Sequence, residues 1–456
     1  MRVLLFYLFV PLIVGVGVWR PYWGLAIYLA ANIIRPDALF WGSDTGMVLF
    51  KLSIAGTLLG FFMGKGRKTE ALDVREWWLA LWICLAMSVS MLFAEIPPDP
   101  FAWTLVGDFY RLQIVCWLII GTLREKRQIL QLIDILLLMA MLLSLWGWQQ
   151  HFGGNARLEG LGGLGDSNGI AAIGALFPPL AINKIFTADK WWQKLFGLIV
   201  TILSVGMIIF TQSRGGFVGL AIGCLYLLLI SRKKIWIMIF YILVLLFVVQ
   251  LLPTGYVSRL NTINDNTENP EQDYSAGSRQ VLWHVGWLMF NDHPIFGVGL
   301  LNFPKCKAPY RVEMEGKFES GLLNYSFLGY KVGHSTWFAQ VLSEGGLFLA
   351  IPMFWLIAGF FWRSRGLQWF GRSPTEETRP LYDTLTGLEA GLLGHCASIS
   401  FIDGLFMPFL TVHIMLGVQI IRIIQNSVPK QTYSHENTPS LPAHSIPARS
   451  RRSHSG

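Results

Sequence analysis

Residues 195–230 read LFGLIVTILSVGMIIF, then TQSRGG, then FVGLAIGCLYLLLI. Two apolar runs, Leu195–Phe210 and Phe217–Ile230, are joined by the polar turn Thr211-Gln212-Ser213-Arg214-Gly215-Gly216. In hydrocarbon such runs satisfy their backbone only as helix, so the stretch reads as a membrane hairpin with an arginine at its tip. The rest of the chain repeats the pattern. It is 53% hydrophobic and only 14% charged, against roughly 25% charged in an ordinary soluble domain. A transmembrane barrel would show short alternating strands, and that pattern is absent.

Working outward, candidate spans fall at 3–19, 22–35, 46–63, 77–94, 104–121, 129–150, 168–187, 195–211, 215–231, 235–252, 335–362, 386–402 and 405–425. Basic clusters at Lys65/Arg67/Lys68, Arg124/Lys126/Arg127, Lys184/Lys190/Lys194, Arg232/Lys233/Lys234 and Arg363/Arg365/Arg372 fall on alternate connections, hence on one side. By the positive-inside rule that side is the cytoplasm. The net charge of +8 is therefore a topology signal and not a nucleic-acid surface. The first two spans are short and separated only by Arg20-Pro21, so they read as one broken unit or as two spans. The expectation is an all-α polytopic membrane protein of about 12 crossings, with the orientation of the N-terminus open. An N-terminal signal peptide is not expected, because no convincing small-residue cleavage site precedes Trp19-Arg20-Pro21. Of the five cysteines, only Cys306 lies in a polar segment, and no metal-ligand spacing occurs.

One polar stretch is large: Pro253 to His334. It divides the chain into an N-terminal bundle (1–252), a loop (253–334), C-terminal spans (335–425) and a tail (426–456) too poor in apolar residues to fold. Within the loop, Val281, Leu282, Val285, Leu288 and Met289 form a helical stripe with Trp283 and Trp287 one turn apart. Such a helix is expected to lie along the membrane interface.

Four positions carry candidate chemistry. Arg214 sits on a non-cytoplasmic turn, against the topology bias. It reads either as a snorkelling side chain or as a phosphate clamp, with Gly215 and Gly216 letting backbone approach the ligand, the N-terminus of the following span adding positive charge, and Ser213 a supporting candidate beside them. Arg279, in Ser275-Ala276-Gly277-Ser278-Arg279, is a solvated helix charge or a second cation for the same anion. His334 opens a span and reads as a polar cap or a general base, with His293 its main rival among His151, His284, His395 and His413. Glu344 lies about 15 Å along a helix from His334 and must enter the membrane.

Ser213-Arg214-Gly215-Gly216-Phe217, His293-Pro294-Ile295-Phe296-Gly297-Val298-Gly299 with Asn302-Phe303, and His334 followed by Gln340-Val341-Leu342-Ser343-Glu344-Gly345-Gly346 together resemble the O-antigen ligase and polymerase superfamily of bacterial inner-membrane enzymes. Arg20-Pro21-Tyr22-Trp23-Gly24 and Asn32-Ile33-Ile34-Arg35-Pro36 look like the O-glycosylation ligases associated with exosortase systems. The chain departs from the common pattern at Ser335, where asparagine usually follows the histidine, and in having two glycines at 345–346. The resemblance implies that 253–334 is a periplasmic loop and that a glycan is transferred from undecaprenyl pyrophosphate to an acceptor hydroxyl on a glycan, lipid or protein. Arg214 and Arg279 would grip the pyrophosphate and His334 would be the base, with inversion and with no metal or other cofactor. A polymerase of the same superfamily and a membrane transporter are the alternative readings.

Overall fold

The computed structural model describes residues 2–34, 43–65, 70–155, 157–158, 166–251, 270–327, 337–370, 373–402 and 408–427. Helices α1 (Arg2–Trp19), α2 (Pro21–Ile34), α3 (Ser43–Gly60), α4 (Arg75–Leu92), α5 (Pro100–Thr122) and α6 (Lys126–Phe152) open the chain. They are followed by α7 (Ser167–Gly174), α8 (Phe177–Thr187), α9 (Trp191–Thr211), α10 (Arg214–Ile230) and α11 (Lys234–Leu251). The large loop contributes α12 (Pro270–Asp292) and the short helices α13 (Phe303–Cys306), α14 (Arg311–Met314) and α15 (Ser320–Phe327). The chain then returns through α16 (Trp337–Phe370), α17 (Arg379–Ile399) and α18 (Pro408–Ser427).

Every candidate span falls on a helix, and the protein is an all-α polytopic membrane protein. Among the described residues six helical stretches are long and apolar enough to cross a bilayer, accompanied by four shorter apolar ones. The two opening spans are separate helices that fold back on each other. A Cβ on Gly24 would lie 2.8 Å from the Gly17 Cα, which places positions on either side of Arg20 face to face. The span 168–187 is two helices, because Pro178 and Pro179 restart α8 in its first turn, where missing N–H groups do no harm.

The bundle is held by close backbone approach and by a few buried ion pairs. Gly215, Gly219 and Gly223 of α10 form a four-residue stripe against Ser398, Gly394 and Ala390 of α17. Added Cβ atoms would lie 3.2 Å from the Ser398 carbonyl and 2.8 Å from that of Ala390. Small residues at this spacing are how membrane helices approach without a hydrophobic driving force between them. Arg363 and Arg365, expected in a cytoplasmic connection, lie inside α16 instead. Arg363 pairs with the fully buried Glu76 of α4 at 2.6 Å, and Arg365 with the fully buried Glu389 of α17. Those two carboxylates need cations at that depth, and extending α16 past the end of its span supplies them.

Helix α16 is also broken. Gly346 has φ 60° and ψ −164°, a conformation open essentially to glycine alone. The loop segment 294–299 threads into the gap and takes over the hydrogen bonds that the break releases. Val298 N–H donates to the Ser343 carbonyl (2.8 Å) and Gly299 N–H to the Glu344 carbonyl (3.1 Å), while Leu347 and Phe348 N–H donate to the carbonyls of Pro294 (2.8 Å) and Ile295 (3.0 Å). Irregular backbone at membrane depth is tolerated only where protein covers it.

The loop helix α12 does not lie with its apolar stripe toward lipid. Val281, Leu282, Val285 and Met289 are fully buried against Phe303, Cys306, Met314 and Leu323 of the loop itself. Trp283 and Trp287 face outward, about half exposed. The stripe was legible, but its partner is a small loop core made by α13–α15, which the sequence offers only as scattered apolar residues. Lys307 is sealed in the same region with its Nζ donating to the Ser326 carbonyl at 2.9 Å, and burial lowers its pKa.

Candidate active site

The turn that joins α9 to α10 is built from its own side chains. Gln212 adopts a left-handed conformation (φ 51°) that ends α9. Ser213 then caps α10, its hydroxyl accepting from the Gly216 N–H at 3.2 Å. From the preceding far-side segment, Arg157 Nε donates to the Thr211 carbonyl at 3.1 Å and Leu158 N–H to that of Phe210 at 3.1 Å. Arg214 is the first residue of α10 and is exposed. A cation at a helix N-terminus works against the macrodipole.

Arg279, about two-thirds of a hundred positions later, is brought to the same place. Its pKa is held below the usual arginine value, first by burial and then by the nearby Arg214 charge, and Asp166 and Tyr325 oppose the shift. Its guanidinium lies 5.8 Å from the Phe401 ring centroid. Phe401 in turn packs over Gly215, where an added Cβ would meet the Phe401 Cβ at 3.0 Å. Gly216 does the same for α7, where a side chain would strike Ala171. The glycines thus let Phe401 and α7 close on the turn.

The acid that acts on Arg279 among the described residues is already engaged. Asp166 caps α7, its Oδ1 accepting from the N–H groups of Asn168 and Gly169, each at 3.0 Å, and its Oδ2 from the Asn168 side chain at 2.9 Å. Among the described residues no carboxylate lies within ion-pair distance of Arg214 or Arg279. Two guanidinium groups and a helix N-terminus therefore sum to a positive field that no ion pair among the described residues neutralises, the arrangement that receives a phosphate.

Ser213, Arg214, Gly215, Gly216 and Arg279 come together here. His293 and Glu344 do not. His293 ends α12 about 21 Å along the helix from Arg279, with its Nε2 3.4 Å from Glu95 Oε1 on the α4–α5 connection. Glu344 is buried at the break in α16, where its Oε1 accepts from Phe303 N–H (3.3 Å) and its Oε2 from the Gln340 amide (3.2 Å). It anchors the loop to the bundle. His334 lies outside the described residues, as does Ser335. Of the other histidines, His151 stacks on Phe210 with ring centroids 3.8 Å apart, and His284 bonds the Gln280 carbonyl. His395 and His413 are sealed between helices against the carbonyls of Ala172 and Phe409.

Sequence reading missed Asp166, Tyr325 and Phe401. Phe401 carried no signal beyond being an aromatic at a span end. Asp166 stood before Ser167-Asn168-Gly169, a helix-start pattern whose position beside Arg214 only the packing of α7 on α10 reveals.

The fold and the site define a polytopic helical membrane protein with two arginines brought together where a large loop meets the bundle. Residues 199–354 match the family model described as O-antigen ligase, which places that part of the chain in the O-antigen ligase superfamily. The matched stretch contains Arg214, Arg279, His293, His334 and Glu344, while Asp166 and Phe401 lie outside it. No curated protein and no solved structure significantly matches the chain.

Proposed function

We propose that the protein is a ligase-type glycosyltransferase of the bacterial inner membrane, acting at the periplasmic face. It moves a glycan from undecaprenyl pyrophosphate to an acceptor hydroxyl. The convergence of Arg214 and Arg279 carries this reading. Like charges held together beside a helix N-terminus are unfavourable until an anion arrives, and a pyrophosphate brings more than one negative charge. As the glycosidic bond to the pyrophosphate breaks, charge grows on the departing oxygen, and both arginines are placed to stabilise it.

The acceptor hydroxyl is a poor nucleophile and needs its proton removed as the new bond forms. His334 is assigned that role. What supports it is the start of α16: Ala339 approaches Gly286, with 3.2 Å between its Cβ and the position a Gly286 Cβ would take, and Gly286 is about 10 Å along α12 from Arg279. Attack from the face opposite the leaving group inverts the anomeric centre. The arginines hold the charge of the leaving group, so the scheme routes no step through a metal. Loop 253–334 then acts as half of the site, supplying Arg279 from α12, while the bundle supplies Arg214.

The test is transfer in membranes carrying Arg214→Ala or His334→Ala. Both are expected to abolish glycan attachment while the protein still reaches the membrane and full-length glycan stays on the lipid carrier. Normal attachment in both variants would overturn the mechanism. Accumulation of single repeat units would point to polymerisation instead.

A further inference from the structure

On the basic face, far from the arginine pair, the α1–α2 turn and the α5–α6 turn enclose a cleft of about 450 Å³. Its lining includes Trp19, Arg20, Tyr22, Trp23, Thr122 and Arg127. We propose that this cleft is a phosphate-binding site, with the headgroup of an anionic phospholipid of the adjoining leaflet as its ligand.

Three independent observations meet there. First, Arg20 and Arg127 are both exposed at the cleft, and neither has a carboxylate partner among the described residues. The one acid in the lining, Glu125, is occupied: it caps α6 in a reciprocal capping box, its side chain accepting from the third helical N–H while Gln128 reaches back to the Glu125 N–H at 3.2 Å. Second, Tyr22 and Thr122 are each 7% exposed, and their hydroxyls have no hydrogen-bond partner. A buried hydroxyl without a partner costs about 1–3 kcal/mol, and two lining the same cleft are explained by a ligand that accepts from them. Third, Trp19 and Trp23 remain 69% and 40% exposed beside it. Tryptophans at the end of apolar helices mark headgroup depth, so the cleft opens where lipid phosphates lie. Arg20, over the Trp19 ring at 5.3 Å, is held at that level. Positive charge alone would express topology. Topology gives no account of the two sealed hydroxyls.

The experiment uses the full chain in detergent, with native mass spectrometry to count bound phosphatidylglycerol against phosphatidylcholine and thermal unfolding to follow added inorganic phosphate. The wild type is expected to retain phosphatidylglycerol preferentially, and Arg20→Gln/Arg127→Gln to weaken that binding about tenfold with phosphatidylcholine unchanged. Thr122→Val keeps the side-chain volume and is expected to weaken it about threefold, which leaves a second readout if the double variant fails to fold. Protection of the wild type but not the variants by inorganic phosphate, without a lipid preference, would keep the site and make its ligand a soluble phosphate. Wild-type affinity for both probes in all variants, or binding of neither probe by the wild type, would overturn it.

Discussion

The α9–α10 turn and the break in α16 carry the same signature: a charged residue beside a glycine pair, interrupting apolar helix. Their fates are opposite. At the break, Glu344 is consumed by the fold. Its carboxylate accepts from Phe303 N–H and Gln340, and its carbonyl from Gly299 N–H and the Ser90 hydroxyl. At the turn the backbone is equally well satisfied, by Ser213, Arg157 and Leu158, but among the described residues no carboxylate pairs with the charge. Arg214 stays exposed beside a second arginine. A polar group that its own fold satisfies is holding structure together. One left exposed against a like charge is waiting for something from outside.

Breaking the structural member should do the most damage. Gly346→Ala puts a Cβ into the Ile295 backbone at a φ of 60°. The expected loss exceeds about 3 kcal/mol, read as failure to recover folded protein from membranes. Wild-type yield and Tm would mean that the break and its threaded loop are not needed. Arg279→Ala is the matching change on the other side. It should leave Tm close to wild type, since lost stacking on Phe401 is offset by relief from Arg214, while transfer falls about 10²–10³-fold. If both arginines grip one pyrophosphate, as we propose, Arg214→Ala/Arg279→Ala should lose at most about tenfold beyond either single variant. Fully multiplicative losses would mean separate sites.

The bundle was legible because membrane helices announce themselves by length and composition, and the candidate spans landed on helices to within a few residues at most ends. Arg363 and Arg365 read as topology charges in sequence, and the structure adds that they also pair with the buried Glu76 and Glu389. Half of the candidate site was legible too. Arg214 stood out by violating the charge bias of its side. The meeting of Arg214 with Arg279 was only a possibility in sequence, since it depends on how α12 seats against α16 and on Phe401 filling the space over Gly215. Glu344 and His293 looked like chemistry because an intramembrane acid and a histidine in a turn usually are worth suspecting. Glu344 is held by Gln340 one turn earlier and by the Phe303 N–H, and His293 faces Glu95; the two long-range partners have no local pattern to reveal them.

Two smaller changes sharpen the contrast. Glu344→Gln keeps an oxygen for the Phe303 N–H but removes the charge, so a loss of about 1–2 kcal/mol is expected by thermal unfolding. Transfer per folded molecule should remain within about threefold of wild type. A drop of 10²-fold at unchanged Tm would put the acid in the chemistry.

The smallest effect is expected at His293→Gln. The pair it makes with Glu95 is 3.4 Å long and its carboxylate is 61% exposed, so removing it should cost under about 1 kcal/mol. The rate is the more telling measurement. A general base must come within hydrogen-bond reach of the hydroxyl it deprotonates, directly or through one water. In the proposed reaction that hydroxyl attacks the carbon bonded to a pyrophosphate held by Arg214 and Arg279, and His293 lies about 21 Å along α12 from Arg279. His293→Gln should therefore retain both the rate and the pH profile of wild-type transfer, while His334→Ala loses transfer altogether. If instead His293→Gln fell to the level of His334→Ala without loss of folded protein, the arginine pair would not mark where the sugar is transferred, and the break in α16 would have to be reread as part of the site.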